Sequence, residues 1–148
     1  MAQSLLREYW HSFGFDPSFQ NFDLEISDLP GNYALPMGRM ALALFEDEPA
    51  GFIALRQLDA HRAEAKRLYV RESFRGRGIG QGLLNWLILE ARGAGYRELL
   101  CDTMPSMLGA LRTYQRFGFL PVGPYASNPT PGAIYLSLNL ERNDATGA

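Results

Sequence analysis

The 148-residue sequence is poor in the side chains that build disulfides and metal centres. Its one cysteine, Cys101, excludes an internal disulfide and a structural zinc site made of several cysteines. Its two histidines, His11 and His61, lie far apart in the chain, so a His-rich centre is not expected either. We therefore predict a protein without a bound metal.

Long apolar runs are missing as well. The longest uncharged, apolar-rich stretch, residues 78–89, contains Gln81 and Asn85 and is much shorter than the roughly 20 residues of a membrane-spanning helix. The N-terminus, MAQSLLREYW, lacks the basic and then apolar layout of a secretory signal. These absences predict a cytoplasmic protein without a membrane partner.

A hydrophobic fraction of 47% with 20% charged residues is sufficient for a buried core in one compact domain, residues 1–148. Apolar periodicity and glycine or proline breaks divide the chain into helices and strands, with a hairpin near each end of the sheet region. Their order predicts an α/β protein with a mixed sheet and at least one β-α-β crossover. The predicted helices are 3–13, 19–29, 78–94 and 106–117, and the predicted strands are 40–45, 51–55, 63–70, 97–101, 119–122 and 133–140.

Charge is unevenly distributed along the chain, although the net charge is only -2. Residues 1–60 contain three basic and nine acidic residues, whereas residues 61–148 contain eleven basic and seven acidic ones. Six of these eleven basic residues lie between Arg62 and Arg77. The clustering indicates a localised anion site, with a solvated positive face as the alternative. The small net charge argues against a nucleic-acid partner.

The segment 75–80, Arg-Gly-Arg-Gly-Ile-Gly, lies between a predicted strand and the longest predicted helix. Its glycines allow the backbone to approach a ligand closely, and free N–H groups at a helix N-terminus form a phosphate site with the positive end of the helix dipole. Arg75 and Arg77 add positive charge for a pyrophosphate or a 3′-phosphate. The alternative is a glycine-rich connection that binds nothing.

Two common phosphate-binding motifs do not fit this segment. A P-loop requires Gly-Lys-Ser/Thr, which the chain lacks. A Rossmann fingerprint requires a third glycine three positions after the second, where this chain has Gln81 or Leu83. Asp102 lies at a suitable distance for a ribose contact, but too few residues follow it for a doubly wound sheet. A P-loop nucleotide and a dinucleotide are therefore disfavoured.

The segment 75–80 resembles the Arg/Gln-x-x-Gly-x-Gly/Ala acetyl-CoA signature of the GNAT superfamily of N-acetyltransferases. Residues 63–70, Ala-Glu-Ala-Lys-Arg-Leu-Tyr-Val, resemble the family's central strand, and residues 110–119 resemble its following helix and the start of the next strand. These blocks have the family's order and spacing, and the resemblance covers about residues 35–140. Residues 128–132, Asn-Pro-Thr-Pro-Gly, are similar to a segment of small bacterial members.

The resemblance implies a mixed, mainly antiparallel sheet with splayed central strands flanked by helices. The family's usual first edge strand is expected to be missing, because a helix is predicted almost from Met1. Acetyl-CoA is the implied co-substrate, with its pantetheine between the strands at 64–70 and 97–102. The residues implied in cofactor binding are Leu68, Tyr69, Val70, Arg75, Gly76, Arg77, Gly78, Ile79, Gly80 and Gln81.

The resemblance also implies direct attack of a primary amine on acetyl-CoA within a ternary complex. Tyr114, four residues before Gly118, matches the family's general acid, and a phenol with a pKa of about 10 is close to the thiol that it would protonate. The alternative is a core tyrosine on an apolar stripe. Glu64 is the candidate base, acting directly or through a water, and its alternative is an ion pair with Lys66, its same-face neighbour on a strand.

Position in the sequence is the only basis for predicting which residues contact the acceptor amine. Asp102 and Thr103 follow a predicted strand, and Tyr125 and Asn128 lie in the Pro-rich loop after the last motif. Cys101, inside an apolar strand, is interpreted as a buried, inert thiol. The expected partner is a small-molecule or peptide amine, and members of the family often form homodimers. The alternative function is a non-catalytic acyl-CoA-binding sensor or interaction domain on the same fold.

Overall fold

The computed structural model describes Leu5, Glu8, Leu29, residues 31–125 and residues 132–141. Within these residues, the order of helices and strands is the predicted one, with bounds that differ by a few residues. The strands are β1 (Arg39–Phe45), β2 (Glu48–Gln57), β3 (Arg62–Val70), β4 (Glu98–Thr103), β5 (Leu120–Val122) and β6 (Ile134–Asn139), and the α-helices are α1 (Ile79–Gly93) and α2 (Leu108–Arg116).

The six strands form one sheet in the order β1-β2-β3-β4-β6-β5. Among these described strands, only β3 and β4 are parallel, and α1 connects them, so β3-α1-β4 is the predicted crossover. The other neighbouring pairs are antiparallel. The predicted fold class, a mixed and mainly antiparallel sheet flanked by helices, is confirmed.

The β1–β2 hairpin turns at Glu46 and Asp47, which have positive φ angles of 51° and 69°. Two consecutive left-handed residues are typical of a two-residue turn whose twist matches that of the paired strands. Phe45 consequently pairs with Glu48. The hairpin is confirmed, but the turn is shorter than the predicted 46–49, because Glu48 and Pro49 already belong to β2.

Helix α1 buries one stripe of apolar side chains against the sheet. The helix begins after Gly78, whose φ of 80° is left-handed, and the chain leaves it at Gly95, with φ of 95°. The stripe lies in the main hydrophobic core with Ile53, Leu55 and Leu99 from the central strands. Its members are the five residues that the periodicity predicts, Leu83, Leu84, Leu87, Ile88 and Ala91.

A bulge interrupts β3 at Arg67, which has a φ of 62°. At the same level the β2–β3 register shifts between Phe52 and Ala54. A bulge places two residues of one strand against one residue of its partner and bends the strand locally. The second half of β3 therefore leaves the straight course of its first half just where it runs beside β4.

The two faces of the sheet bury different clusters. The helices cover one face, the helix face, where Ala65 and Leu68 of β3 belong to the main core. Tyr69 belongs to a smaller cluster on the opposite face, together with Leu5. Because side chains alternate along a strand, Glu64 and Lys66 also point to the opposite face.

The N-terminal predictions fall mostly outside the described residues. Of the predicted helix 3–13, Leu5 and Glu8 are described, and both are helical. Of the predicted helix 19–29, only Leu29 is described, and it lies in a turn. The missing first edge strand concerns the same region and stays a prediction. In the part of the chain that the structure describes, no helix is both long and apolar enough to cross a lipid bilayer.

Candidate functional site

The parallel strands β3 and β4 separate soon after they begin. They pair through Arg62–Glu64 and Glu98–Leu100, and among the described residues no further pair follows Glu64 and Leu100. The other edge of β4 is paired with β6 from Glu98 to Thr103. The second half of β3 therefore runs beside β4 without a ladder between them, and we call this opening the parting. Its backbone groups are available to a ligand.

A pocket of about 470 Å³ adjoins the parting. The end of β3, the segment 75–80 apart from Arg77, the first turn of α1 and one side of α2 along its whole length line it. Nine of the ten residues predicted to bind the cofactor contribute to this lining: Leu68, Tyr69, Val70, Arg75, Gly76, Gly78, Ile79, Gly80 and Gln81.

The predicted cofactor residue Arg77 is placed differently from the other nine. Its guanidinium carbon lies over the ring of Phe45, 4.7 Å from the ring centroid, and it does not line the pocket. Gly76 and Gly78 on either side have left-handed φ angles of 81° and 80°. The turn between them directs the Arg77 side chain toward the β1–β2 hairpin. Arg75 stays at the pocket, where its Nε donates a 2.9 Å hydrogen bond to the Val70 carbonyl.

The N-terminus of α1 opens into this pocket without a side-chain cap. Gly78 is the N-cap residue and provides no side-chain hydrogen bond. The first N–H groups of a helix have no partner within the helix, and the dipole makes this end positive. Arg112 and Arg116, one turn apart on α2, also line the pocket and add positive charge. The donor set fits phosphate groups.

Tyr114 reaches the start of the parting from the helix face. It is buried, its ring lies edge-on to Phe119 at a centroid distance of 5.1 Å, and its hydroxyl lies beside the Cys101 thiol. Cys101 is the first residue of β4 after the last β3–β4 pair. Burial, with the negative charges of Asp102 and Glu64, raises the pKa of this thiol well above its usual value. Cys101 is therefore a buried thiol that stays protonated.

On the opposite face, Glu64 is the centre of a polar network at the last β3–β4 pair. Its Oε1 accepts a hydrogen bond of 2.7 Å from Nε of Arg56, and its Oε2 accepts one of 2.5 Å from the Tyr125 hydroxyl. Burial alone would raise the pKa of this carboxyl, but Lys66, Tyr125 and Arg56 favour the charged form and lower it below its usual value. Glu64 is therefore a buried carboxylate with both oxygens engaged.

Lys66 and Asp102 face each other across the parting. Nζ of Lys66 lies 4.0 Å from Oδ1 of Asp102. We call Arg56, Glu64, Lys66, Asp102 and Tyr125 the polar cluster; it combines positive and negative groups on the opposite face, at the level where the strands separate.

The other residues that were predicted to contact the acceptor amine do not all lie in the polar cluster. Thr103 is buried, and its hydroxyl lies 3.6 Å from the sulfur of Met107, so this side chain contacts the start of α2 rather than the polar cluster. Asn128 lies outside the described residues. Tyr125 is brought to Glu64, and its ring also lies edge-on to Tyr135 at 5.3 Å.

Sequence reasoning misses several residues of the site. Arg56 has no motif that would identify it, because it comes from β2 and reaches Glu64 through strand pairing. Arg112 and Arg116 have a signal that could have found them, a spacing of four on a predicted helix. Lys66 was predicted only as an ion-pair partner of Glu64, and its being the only lysine in the chain is a signal for a further role. In the described residues, no group of three or more His, Cys, Asp or Glu side chains is arranged to hold a metal ion.

Known proteins are similar to this chain in sequence and in fold. Over 93% of the chain and 86% of the relative, the sequence is 36% identical to an uncharacterised N-acetyltransferase of Schizosaccharomyces pombe. A GNAT-family acetyltransferase from Staphylococcus aureus has the same fold, with a TM-score of 0.80 and 20% identity over 93% of this chain and 92% of that one.

A GNAT-family acetyltransferase from Elizabethkingia anophelis, solved with acetyl-CoA bound, has a TM-score of 0.63 and 28% identity over 84% of each chain. The sequence model of the acetyltransferase (GNAT) family matches residues 2–119, which include the parting, the segment 75–80 and Tyr114. A family match over most of the chain, together with a relative that is 36% identical over 93% of it, shows that this protein belongs to the GNAT family of acetyltransferases.

Proposed function

We propose that this protein is an N-acetyltransferase that moves the acetyl group of acetyl-CoA to a primary amine by direct attack within a ternary complex. The observation that carries the proposal is the parting of β3 and β4 after Glu64 and Leu100. The parting lies between a pocket suited to phosphates and a cluster of charged and phenolic groups. Such an opening allows a thioester from one side to meet an amine from the other.

The residues around the pocket fit acetyl-CoA. The uncapped α1 N-terminus, with Arg75, Arg112 and Arg116, is suited to hold the phosphates. The half of β3 that does not pair with β4 offers main-chain groups near Leu68 and Val70, which can form hydrogen bonds with the amide groups of pantetheine. When it is bound, acetyl-CoA supplies the activated acetyl group.

Tyr114 is the proposed general acid, which gives a proton to the departing thiolate. Its hydroxyl lies beside Cys101, at the start of the parting. The Cys101 thiol stays protonated and buried, and this supports transfer without an acyl-cysteine. A positioned acid of this kind contributes on the order of 100-fold to a rate.

Glu64 is the proposed base. Because both of its oxygens already accept hydrogen bonds from Arg56 and Tyr125, we propose that it takes the proton of the acceptor amine through a water rather than directly. Its negative charge, with that of Asp102, attracts an ammonium group to the polar cluster before the proton is lost. The acceptor in this proposal is a small-molecule or peptide amine, and the reaction takes place in the cytoplasm.

The proposal is tested by incubating the protein with acetyl-CoA and a panel of primary amines, and measuring the release of free thiol. Amine-dependent release that disappears in Gly78→Glu supports transfer. Binding of acetyl-CoA by calorimetry without thiol release from any amine, across polyamines, amino acids, aminoglycosides and peptide N-termini, would instead indicate an acyl-CoA sensor. Absence of acetyl-CoA binding would contradict both functions.

A further inference from the structure

The chain has thirteen arginines and one lysine, and this lysine lies in the parting. Lys66 is two residues beyond the last β3–β4 pair, and its side chain is 12% exposed. The basic partners of the other ion pairs in the described residues are all arginines, as in Arg56–Glu64 and Arg39–Glu90. The one primary amine among the side chains therefore lies in the opening where the proposed function places the acceptor amine.

An ion pair with Asp102 does not by itself require a lysine. Arginine forms the other ion pairs within the part of the chain that the structure describes, and it remains protonated at every relevant pH. Lysine differs because its amine can lose its proton and then act as a nucleophile. A lysine at this position supplies a reactive group that an arginine would not.

The surroundings of Lys66 favour the neutral amine. Burial is the largest effect that lowers its pKa, and the positive charges of Arg67 on its own strand and Arg56 on β2 act in the same direction. The carboxylates of Glu64 and Asp102 oppose this shift but do not cancel it. The neutral fraction of Lys66 at a given pH is therefore larger than that of an exposed lysine.

We propose that Lys66 is a self-acetylation site: when no acceptor amine occupies the parting, Nζ of Lys66 takes the acetyl group from acetyl-CoA. The inference rests on the proposed function, because it needs the thioester to enter the parting. The nitrogen lone pair forms a C–N bond with the acetyl carbon while the C–S bond breaks. The CoA thiolate takes up the proton that the nitrogen loses, so the products are Nε-acetyl-Lys66 and CoA.

Acetylation of Lys66 makes the site less active. An amide is not an activated acyl donor, so the acetyl group does not pass on to another amine. The modified side chain has no positive charge, which leaves Asp102 and Glu64 without this counter-charge and places an acetyl group in the path of the acceptor. Self-acetylation would therefore inactivate the enzyme when acetyl-CoA is abundant and the acceptor is scarce.

The experiment is incubation of the full chain with acetyl-CoA alone, followed by intact-mass measurement and peptide mapping. We expect one acetyl group on Lys66, formed about tenfold or more faster than in the urea-unfolded chain, because binding holds the thioester next to the amine. Excess CoA should suppress this reaction, and the rate should rise with pH. The N-terminal α-amino group of the protein used serves as an internal reference whose slow chemical acetylation should not respond to CoA.

Lys66→Arg is the matched variant, since it keeps the charge but has no primary amine. It should bind acetyl-CoA in calorimetry and gain no acetyl group except at the N-terminal α-amino group. If the wild type binds acetyl-CoA but Lys66 stays unmodified, or is modified no faster than in urea or without response to excess CoA, the self-acetylation proposal is wrong while the proposed function stands. If acetyl-CoA does not bind at all, the proposed function itself is wrong.

Discussion

The hydroxyl of Tyr125 donates a hydrogen bond of 2.5 Å to Oε2 of Glu64, and the two residues are 61 positions apart in the chain. Tyr125 follows β5 at one edge of the sheet, whereas Glu64 lies on the central strand β3 at the last β3–β4 pair. This hydrogen bond ties the segment after β5 over the opposite face of the sheet. Burial and the charge of Glu64 raise the pKa of Tyr125 well above its usual value, so the phenol remains the donor.

Replacing Tyr125 with phenylalanine should lower the free energy of unfolding by about 1.5–3 kcal/mol, because it removes a partly buried hydrogen bond to a charged group. The ring and its contact with Tyr135 are retained. The measurement is urea denaturation at neutral pH. Tyr96→Phe is the matched control, since the Tyr96 hydroxyl donates to the neutral carbonyl of Met37 at 2.8 Å. The prediction would be contradicted if Tyr125→Phe lowered the free energy of unfolding by no more than Tyr96→Phe does.

Glu64→Gln should make folding less sensitive to acid. Because the pKa of Glu64 is lowered below its usual value of 4.5 by Lys66, Tyr125 and Arg56, against the effect of burial, the stability from its charge is complete above about pH 4.5. That contribution is lost as the pH falls through the lower value of the folded state. Unfolding curves at a series of acidic pH values should show a smaller loss for the variant.

Glu46→Gln, a substitution at an exposed position, is the control for these unfolding curves. The free energy of unfolding of this variant should depend on pH as that of the wild type does. If Glu64 is also the base, Glu64→Gln should retain acetyl-CoA affinity and lose amine-dependent thiol release. Equal pH profiles for Glu64→Gln and the wild type would show that the carboxylate is not held in its charged form by its neighbours.

Gly78→Glu should reduce acetyl-CoA affinity by about 100-fold or more, because a carboxylate close to bound phosphates costs several kcal/mol in a partly buried site. A side chain at Gly78 meets no atom within 4 Å, although its φ of 80° adds backbone strain. Isothermal calorimetry with CoA measures the effect. Gly93→Glu places the same charge at the other end of α1, also in open space, and should bind CoA like the wild type. Similar CoA affinities for the two variants would show that the phosphates of CoA do not bind at the N-terminus of α1.

Tyr114→Phe should lower the rate of acetyl transfer on the order of 100-fold and leave CoA affinity unchanged, because it removes the proton donor but keeps the ring against Phe119. Single-turnover kinetics with a substrate amine separate the chemical step from binding. Tyr96→Phe again provides a buried tyrosine control, with its hydroxyl bound to Met37. An unchanged chemical step in Tyr114→Phe would show that Tyr114 is a core residue and that the acid is another group.

Local patterns predicted much of this architecture correctly. The stripe of α1 was predicted residue by residue, since a spacing of three and four along a helix determines which side chains share a face. The start of α1 directly after the glycines of the segment 75–80 was also predicted, and the left-handed backbone at Gly76 and Gly78 is a property that glycine permits locally. Nine of the ten predicted cofactor residues line one pocket, and all nine lie within residues 68–81, so their proximity follows from their nearness in the sequence.

Long-range placement was predicted less well. Arg77 was expected at the phosphates by its position in the motif, but it lies over Phe45 on the hairpin. Thr103 was grouped with Asp102, yet alternation along β4 sends the two side chains to opposite faces, and Thr103 contacts Met107. Glu64 was expected to pair with Lys66 if it was not a base, but Arg56 from the next strand forms the close ion pair.

The amino-acid sequence was sufficient for the elements, the glycine-lined helix start and the family, because each depends on residues a few positions apart. The partners of Glu64 and the position of Lys66 opposite Asp102 depend on the folded sheet. A left-handed residue at Arg67 shifts the register of β3. The loss of pairing after Leu100 leaves a gap that charged side chains from three strands and a phenol from a distant loop can enter. The separation of β3 from β4 involves two strands that are far apart in the chain, so the residue pattern of either strand alone does not specify it.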